Sequence, residues 1–366
     1  MIKETELIKV KIGNQKVGTL ILSNNNLCLF EYDREFVSAG FSISPFYLPL
    51  KSGVFTAKRD PFNGLFGIFN DSLPDGWGSL LINRYLKSKN INPADLSVLH
   101  RLSLVGNSGM GALEFEPNTT LKTAQEITDL NQIANEIEII FKEEKESSCL
   151  EQLVQQAGSS GGARPKVFVN VNNESWIVKF RSSTDPMNMG EIEYHYSLVA
   201  KKCKIEMPET TLFENKYYGV KRFDRFAAKK ILTHSASGLL YASHRFPSLD
   251  YTELIKATLA LTKNMEEALK VFRLMVFNVL TGNKDDHAKN FSFLYRKGNW
   301  EFAPAYDLVP SNGFNGNHST TISGSGNPTK EQIFNVAQNC GLPQKNVTII
   351  FEEVFIASKE IHKVKL

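Results

Sequence analysis

The sequence is poor in the closely spaced residues that build disulfide frames and zinc sites. It has four cysteines, with no Cys-x-x-Cys pair among them, at Cys28, Cys149, Cys203 and Cys340. Its seven histidines form neither a His-x-x-x-His nor a His-Glu-x-x-His pattern. Because small disulfide-rich domains and structural zinc sites need such spacings, we expect reduced, partly buried thiols and no zinc chemistry.

Long apolar runs and a strong charge of one sign are also missing. Of the 366 residues, 42% are hydrophobic and 22% are charged, as in a globular protein without a membrane span. Residues 1–6 lack the apolar stretch of a signal peptide, so we expect a cytoplasmic protein that does not enter a membrane. The net charge of +3 gives no reason to expect broad nucleic-acid binding by this chain itself.

The length of the chain suggests two or three packing units. We predict a small N-terminal domain over 1–118, a connector followed by glycine-rich and strand-forming sequence over 119–225, and a mainly helical region over 226–366. The N-terminal domain begins with short β-type runs, and residues 77–85 repeat apolar side chains at helical spacing.

The second half of the chain has a characteristic order of parts. The predicted elements are a glycine-rich turn at 158–162, strands at 167–171 and 176–180, a helix at 191–203, a hairpin at 210–223 and a helix at 265–280. Bilobal protein kinases present a glycine loop, strands, a helix and a helical lobe in this order. We therefore predict an α+β, bilobal, protein-kinase-like fold with a small β-rich N-terminal domain and a mainly helical C-terminal lobe.

The segment 282–291 contains most of the candidate catalytic residues. Asp285 and Asn290 are five positions apart, and Asp307 follows seventeen residues after Asn290. Protein kinases use an Asp-x-x-x-x-Asn loop and a carboxylate on the next element to orient a hydroxyl nucleophile and hold magnesium. A polar turn between a helix and a strand is the structural alternative, since Asp and Asn are common in turns.

Three other residues of the same segment have roles that the sequence does not decide. Asp286 competes with Asp285 for the role of general base. His287 and Lys289 would either contact phosphate or hold the shape of the loop.

The glycine-rich turn offers a cradle for phosphate. Glycine permits positive φ angles and lets backbone N–H groups approach phosphate oxygens closely, and Gly161 and Gly162 are followed by the cations Arg164 and Lys166. The loop is not a Walker A motif, because no Gly-Lys-Ser/Thr follows. A flexible surface linker is the alternative.

Lys179 lies between Val178 and Phe180 in an otherwise apolar strand. Kinases place their phosphate-binding lysine on such a strand and pair it with a helix glutamate. We select Glu193 as that partner, with Glu191 as the second choice. An exposed lysine on an edge strand is the alternative.

Together these blocks resemble the HipA-like serine/threonine kinases, the toxins of bacterial toxin–antitoxin pairs. The family's catalytic loop is similar to Asp285-Asp286-His287-Ala288-Lys289-Asn290-Phe291-Ser292 of this sequence. Its metal-binding segment is similar to Ala305-Tyr306-Asp307-Leu308. The phosphate loop is similar to Gly161-Gly162-Ala163-Arg164-Pro165-Lys166, and the strand that ends at the adenine hinge is similar to Val220-Lys221-Arg222-Phe223-Asp224-Arg225. Residues 69–75 and 105–112 resemble the family's own N-terminal domain.

The resemblance implies ATP and Mg²⁺ as cofactors and gives each residue a role. Asp285 would be catalytic, Asn290 and Asp307 would hold magnesium, and Lys179 would bind the ATP phosphates. Backbone groups near Lys221 and Phe223 would meet the adenine. The other nucleotide-binding positions that it implies are Gly161, Gly162, Ala163, Arg164, Lys166, Glu193, His287, Lys289 and Tyr306.

Family members also autophosphorylate a serine at the start of the phosphate loop. That position corresponds to Ser159, with Ser160 adjacent. A phosphoserine adds nearly two negative charges, which would repel the ATP phosphates or displace the loop. We therefore expect phosphorylation at either serine to switch the kinase off.

The resemblance also implies partners. These are a cytoplasmic protein substrate, for which the family's known targets include aminoacyl-tRNA synthetases, and a small helix-turn-helix antitoxin of the HipB type, which would supply the DNA contacts. Two alternatives stay open, a small-molecule kinase of similar shape and a non-catalytic partner of a DNA-binding repressor. The region after Asn317 matches the family least clearly.

Overall fold

The computed structural model describes residues 5–120, 126–142, 147–226 and 229–363. Part of the N-terminal segment expected to lack a signal peptide, and part of the connector expected within 119–225, lie outside the described residues. None of the helices in the described ranges combines the length and the apolarity that crossing a bilayer requires.

In the described ranges the strands have two to eight residues and the α-helices four to seventeen. The strands are β1 Leu7–Ile12, β2 Gln15–Leu22, β3 Cys28–Tyr32, β4 Val54–Thr56, β5 Leu113–Glu116, β6 Lys166–Val171, β7 Glu174–Lys179, β8 Thr210–Phe213, β9 Tyr217–Lys221, β10 Arg225–Phe226, β11 Lys229–Lys230, β12 Leu232–Ser235, β13 Leu249–Asp250, β14 Ser292–Arg296, β15 Asn299–Phe302 and β16 Thr320–Thr321. The α-helices are α1 Arg34–Ala39, α2 Gly67–Asn70, α3 Gly76–Ser88, α4 Val98–Val105, α5 Leu130–Lys142, α6 Leu150–Ala157, α7 Met189–Lys202, α8 Ala236–Leu240, α9 Tyr251–Thr262, α10 Met265–Thr281, α11 Lys330–Asn339 and α12 Gln344–Ser358. Short 3₁₀ turns lie at Pro93–Asp95, Ala288–Asn290 and Lys359–Lys363.

The chain forms two compact units. The first contains Met1–Gly190 and Phe213–Leu232, and the second contains Glu191–Leu212 and Thr233–Leu366. The division into three segments that the sequence suggested stays a prediction. The predicted α+β class is confirmed, with a sheet domain at the N-terminus and a second unit rich in helices.

The N-terminal sheet follows from alternating side chains. Its strand order is β4-β3-β2-β1-β5, and its four neighbouring pairs are antiparallel. In β1, Ile8 and Val10 are buried while Leu7 and Lys9 are exposed, as expected for a strand with one face on the core. Phe30 lies at the centre of this core and contacts the Phe69 ring at a centroid distance of 5.1 Å.

A second core in the first unit supports the glycine-rich loop. Strands β6, β7 and β9 pair antiparallel, and the β6–β7 hairpin turns at Asn172 and Asn173, which have φ angles of 52° and 62°. Two consecutive asparagines in the left-handed region are typical of a tight hairpin turn. Apolar side chains of α3, α5, α6 and these strands are buried together, with Trp77 among the largest.

The second unit is built around α10. Most of this helix is buried, because Val271, Phe272, Met275 and Val276 turn inward. Helix α10 contacts α9, α12 and β15. The sequence predicted the helix but not the sheet of β12, β14 and β15. Strand β12 pairs with β14 almost sixty residues later, while β14 and β15 form a local hairpin that was also not predicted.

An ion cluster is buried in the first unit directly after β9. The Asp224 carboxylate is fully buried and accepts hydrogen bonds from Arg222 at 2.9 and 2.7 Å and from Arg225 at 2.6 Å. It also accepts the Gly111 N–H at 2.8 Å, and Arg222 and Arg225 both donate to the Gly109 carbonyl. The cluster therefore ties segment 222–225 to the loop at 109–111.

The charge state of this cluster follows from its contacts. Burial raises the pKa of Asp224, but the two guanidinium groups and the Gly111 N–H lower it more, so its pKa lies below the ordinary 3.8. A carboxylate with a depressed pKa stabilises the fold above its ordinary pKa. That stability is lost as the pH falls below 3.8 toward the lower pKa of the folded state.

Replacing Asp224 tests this cluster. We expect Asp224→Asn to lower the free energy of unfolding by about 3–5 kcal/mol, because the buried Arg222 and the partly buried Arg225 lose the charge that they share. Urea denaturation followed by tryptophan fluorescence measures the change. Glu174→Gln is the matched control at a half-exposed ion pair with Lys221 and should change stability by less than about 1 kcal/mol. Equal effects of the two variants would contradict this role for Asp224.

Candidate active site

The candidate catalytic loop begins where α10 ends. Gly282 caps the helix with a φ of 68°, and its N–H donates to the Asn278 carbonyl. Asn283 then donates through its backbone N–H to the Asn278 carbonyl and through its side-chain amide to Asn278 Oδ1, both at 3.0 Å. The chain therefore leaves the helix at a fixed point and in a fixed direction.

Asp286 is the buried anchor of this loop. One oxygen of its carboxylate accepts hydrogen bonds from the Tyr251 hydroxyl and from His318 Nδ1, both at 2.8 Å. The other oxygen accepts the backbone N–H groups of Ser319 at 2.9 Å and Thr320 at 3.3 Å. A buried carboxylate with four donors is a structural group, so its surroundings argue against a role as general base.

Tyr251 connects this anchor to the helices. Its hydroxyl accepts the Asn278 side-chain amide at 2.9 Å and donates to Asp286. Burial, together with the nearby Asp286 charge, raises the pKa of Tyr251 well above its ordinary value. The hydroxyl therefore stays protonated and remains a donor, so α9, α10 and the loop share one hydrogen-bond network.

Asp285 has the opposite environment. Its side chain is 56% exposed, and one carboxylate oxygen lies 4.0 Å from His287 Nε2. The Asn290 side-chain amide donates to the Asp285 backbone carbonyl at 2.7 Å, which closes the loop on itself. Of the two neighbouring carboxylates, Asp285 is therefore the accessible one.

His287 carries a polar atom that the fold leaves without a partner. Its Nδ1 is buried and has no hydrogen-bond partner within the described part of the chain. Its ring lies 6.1 Å from the His244 ring. A buried, unpaired imidazole nitrogen is costly in a resting fold, and such groups gather at binding sites.

Tyr306 braces the loop from the neighbouring segment. Its hydroxyl donates to the Lys289 carbonyl at 2.6 Å and lies 2.6 Å from Ser292 Oγ. The predicted nucleotide-binding position at Tyr306 is therefore engaged in holding the backbone beside Asn290. The next residue, Asp307, has a φ of 57°, a conformation that a non-glycine residue adopts at a cost and that is common in functional sites.

The donor set of this loop fits magnesium. Asn290 and Asp307 provide amide and carboxylate oxygens, which Mg²⁺ prefers, and Mg²⁺ usually takes few protein ligands and completes its octahedron with phosphates and water. Among the described residues there is no cluster of three or more His, Cys, Asp or Glu side chains that would hold a metal by itself. Asn290 and Asp307 would give a magnesium ion two protein oxygen ligands.

The glycine-rich loop belongs to the first unit and is held on several sides. Gly162 has a φ of 84°, its N–H donates to the Asp75 carboxylate, and its carbonyl accepts the Trp77 N–H at 3.0 Å. Lys166 Nζ donates to the Gly161 carbonyl at 2.7 Å, and the Trp77 indole donates to the Lys166 carbonyl at 3.1 Å. Gly161 and Ala163 remain exposed at the tip.

Arg164 has a partner that the sequence did not reveal. Two of its guanidinium nitrogens lie 3.1 Å from the Asp185 carboxylate, and a backbone N–H of Ser182 donates to the same group. Although burial raises the pKa of Asp185, these contacts lower it more. Arg164 is therefore an ion-pair partner that shapes the loop, which reduces its availability for phosphate.

The predicted lysine and glutamate have distinct settings. Lys179 lies on β7 opposite Lys166 and Tyr218, and its Nζ is 5.7 Å from the Tyr218 ring centroid. Glu193 is buried on α7 while Glu191 is exposed, which favours Glu193 as the acid that needs a charged partner. The pairing of Lys179 with Glu193 stays a prediction.

The two candidate phosphosites lie at the base of the glycine loop and are buried. Ser159 Oγ donates to the Ser108 carbonyl at 2.9 Å. Ser160 is 1% exposed, and its hydroxyl has no hydrogen-bond partner among the residues that the structure describes. Neither hydroxyl is accessible in this conformation.

The hinge positions are also engaged. Lys221 Nζ forms an ion pair with Glu174, and the next backbone N–H, that of Arg222, donates to the Ser175 carbonyl at 2.8 Å. Phe223 follows in a turn and is half-buried. The predicted adenine contacts of Lys221 and Phe223 would therefore come from backbone groups and the Phe223 ring, not from the Lys221 ammonium.

The comparisons with known proteins identify the family of this chain. Models of the HipA N-terminal domain and of the HipA-like C-terminal domain match residues 8–116 and 158–361. The chain belongs to the HipA family. A solved structure described as the Shewanella oneidensis MR-1 toxin–antitoxin system HipA, HipB and operator DNA complex contains a similar chain, with a TM-score of 0.71 and 18% identity over 98% of this chain and 92% of that one. At this identity the likeness to HipA shows the fold.

Curated relatives of this HipA-family chain match over shorter stretches. A Haemophilus influenzae protein named "Putative kinase" is 25% identical over 182 residues, which are 42% of this chain and 53% of the relative. A Sinorhizobium fredii protein, "Putative kinase Y4dM", is 25% identical over 153 residues, 37% of each chain. The chain thus spans about half or less of the length of these relatives.

Several residues that hold the candidate site of this HipA-family chain in place were not predicted from the sequence. Tyr251 and His318 hold Asp286 from positions 35 and 32 residues away, and no local pattern announces such contacts. Asp75 was part of a recognised N-terminal block, but nothing in the sequence linked it to Gly162, 87 residues later. Tyr251 and His318 both lie in polar stretches of the sequence, so no local pattern marks them.

The adjacent carboxylates provide a matched pair of variants. We expect Asp286→Asn to lower the free energy of unfolding by about 1–3 kcal/mol, because the amide cannot accept from all four donors and leaves buried groups unsatisfied. Asp285→Asn, one residue away and exposed, should stay within about 0.5 kcal/mol of the wild type. Thermal and urea denaturation of the three proteins measure both effects. A larger loss for Asp285→Asn would reverse the assignment.

Proposed function

We propose that this chain is an ATP- and Mg²⁺-dependent serine/threonine protein kinase of the HipA toxin type. It phosphorylates a cytoplasmic protein and a serine of its own glycine-rich loop. The observation that carries the proposal is the contrast between two adjacent carboxylates, since Asp286 is buried among four donors and thereby fixes a loop on which Asp285 is exposed. Membership of the HipA family and relatives named as kinases support it.

The residues of the second unit would perform the transfer. Bound MgATP supplies the γ-phosphoryl group and the charge neutralisation that phosphoryl transfer needs. Asp285 orients the acceptor hydroxyl and accepts its proton as the hydroxyl oxygen bonds to phosphorus and the bond from phosphorus to the ADP oxygen breaks. Asn290 and Asp307 would hold the metal, and the buried His287 Nδ1 lacks a partner within the described residues.

The residues of the first unit would bind the phosphates. Gly161 and Ala163 are exposed at the loop tip and offer backbone N–H groups. Lys179 adds a positive charge from β7, as the strand lysine does in protein kinases. Lys166 lies at the same loop, where its ammonium already contacts the Gly161 carbonyl.

The burial of Ser159 and Ser160 supports an inhibitory autophosphorylation. A phosphoserine carries nearly two negative charges and three acceptor oxygens, which do not fit a buried site beside the Ser108 carbonyl. Modification of either hydroxyl would require the loop base to leave its position. The modified loop would then be held out of the conformation that binds nucleotide.

A small helix-turn-helix antitoxin of the HipB type is the proposed partner. The Shewanella protein with the same fold was solved with HipB and operator DNA, and 98% of this chain aligns with it. The net charge of +3 makes direct DNA binding by this chain weak, so DNA contacts would come through the antitoxin. An aminoacyl-tRNA synthetase is one candidate substrate that the family suggests.

The reaction itself is the first test. Incubation with labelled ATP and Mg²⁺ should label the wild-type protein or an added protein substrate, and Asp285→Asn should reduce the rate by about 10²-fold or more, because the hydroxyl loses its base. Glu331→Gln, an exposed carboxylate on α11, is the control and should leave the rate unchanged.

The starting phosphorylation state must be known, so intact mass is measured first. Equal rates for wild type and Asp285→Asn would contradict the catalytic assignment. Transfer to small hydroxyl compounds but to no protein would favour the small-molecule alternative. An unmodified protein that binds ATP and transfers nothing would favour the non-catalytic partner of a repressor.

The internal switch has its own test. Phosphosite mapping should find the label at Ser159 or Ser160, and the corresponding alanine variant should keep its activity during long incubation while the wild type slows. Ser108→Ala is a control, because its side chain is not the acceptor of the Ser159 bond. Full ATP affinity in the phosphorylated wild type would contradict inhibition by charge.

A further inference from the structure

The glycine-rich loop binds a negatively charged side chain of this chain, the Asp75 carboxylate. The Gly162 N–H donates to an oxygen of the Asp75 carboxylate. Backbone N–H groups of a glycine-rich loop bind phosphate oxygens through the same interaction, because both ligands are charged oxygen acceptors. Asp75 therefore occupies a backbone donor of Gly162, which lies between the Gly161 and Ala163 N–H groups that the proposed function gives to the nucleotide phosphates.

The local structure of Asp75 indicates that this contact is not a by-product of helix capping. Asp75 is the N-cap residue of α3, where an aspartate normally accepts N–H groups of its own first turn. Its side chain makes no such capping bond, and its carboxylate turns to the loop instead. The positive end of α3 still favours a negative charge at this position.

The rest of α3 presses against the same loop. The Trp77 N–H donates to the Gly162 carbonyl at 3.0 Å, so the peptide groups on both sides of Gly162 are bound by residues of one short segment. A Cβ atom at Gly78 would lie 2.5 Å from the Ser160 carbonyl oxygen, so the helix approaches the loop as closely as glycine permits. The Asp75 contact is thus part of a tightly packed interface within the first unit.

The negative charge of Asp75 opposes the binding of a nucleotide triphosphate at this loop. A carboxylate that stays at Gly162 would lie beside the triphosphate and repel it, and a carboxylate that leaves must give up a charge-assisted hydrogen bond. Both outcomes weaken nucleotide binding relative to a loop without this carboxylate.

From this geometry we propose that Asp75 is an internal competitor of the nucleotide phosphates, which lowers the affinity of the glycine-rich loop for ATP. The inference rests on the proposed function, because it takes the loop as the phosphate site. It adds that the N-terminal domain, through one carboxylate, sets how tightly the kinase site binds its nucleotide.

Two variants at one position separate competition from bracing. Asp75→Asn keeps a hydrogen-bond acceptor of the same shape and removes the charge, and Asp75→Ala removes both. We expect both full-length variants to bind MgATP and inorganic tripolyphosphate more tightly than the wild type, on the order of tenfold, the size of one charge-assisted hydrogen bond. Titration calorimetry at constant ionic strength measures this change. Asp95→Asn, an exposed carboxylate of the same unit, should bind as the wild type does.

The results that would contradict the inference differ from those that would contradict the proposed function. If the wild type binds MgATP but Asp75→Asn binds no more tightly and Asp75→Ala binds more weakly, Asp75 is a brace of the loop and the inference is wrong while the proposed function stands. If neither the wild type nor the variants bind MgATP, the proposed function fails and the inference fails with it.

A measurement on the wild type covers the case in which a variant does not fold. Carbon-13 NMR of the wild type labelled at its aspartate carboxyl groups should show the Asp75 signal move when MgATP is added, because its carboxylate then either loses the Gly162 N–H or lies beside a phosphate. An Asp75 signal that stays unchanged at saturating MgATP would contradict competition.

Discussion

The buried carboxylate of Asp286 is the constraint on which the candidate active site depends. A buried charge without partners is very costly, so the fold must bring donors to it. These donors come from Tyr251 at the start of α9 and from the segment 318–320. Once they are in place, the direction of the chain at Asp286 is fixed, and Asp285 on the preceding residue is left exposed. Burial of one acid and exposure of its neighbour thus arise from a single network.

In the first unit, the glycine-rich loop is held mainly by contacts from neighbouring segments. A glycine-rich loop has few side chains to hold it, so its position depends on backbone hydrogen bonds and on neighbouring elements. Here the segment at the start of α3 binds both sides of the Gly162 peptide, and Arg164 is fixed by Asp185. The match of residues 8–116 to the HipA N-terminal domain gives these contacts a context, because that domain supplies Asp75 and Trp77.

Local features of this fold were readable from the sequence, and distant contacts were not. The first strands, the helix at 265–281 and the hairpin at Asn172 and Asn173 follow from alternation, helical periodicity and turn chemistry. The spacing of Asp285 and Asn290 was also visible, and the amide of Asn290 indeed closes this loop. By contrast, β12 and β14 pair across almost sixty residues, and the partners of Asp286 and Arg164 depend on the folded chain. The resemblance selected Asp285 over Asp286, and the burial of Asp286 adds a physical argument for that prediction which no local pattern provides.

The central claim is that the loop from Asp285 to Asn290, with Asp307, acts on a magnesium-bound nucleotide. Its most direct test is calorimetric titration of ATP with and without Mg²⁺, for the wild type, Asn290→Ala and Asp307→Ala. The account predicts that Mg²⁺ tightens ATP binding to the wild type and that both variants lose this gain while they remain folded. ATP binding that does not depend on Mg²⁺, or a gain that survives in both variants, would contradict the account.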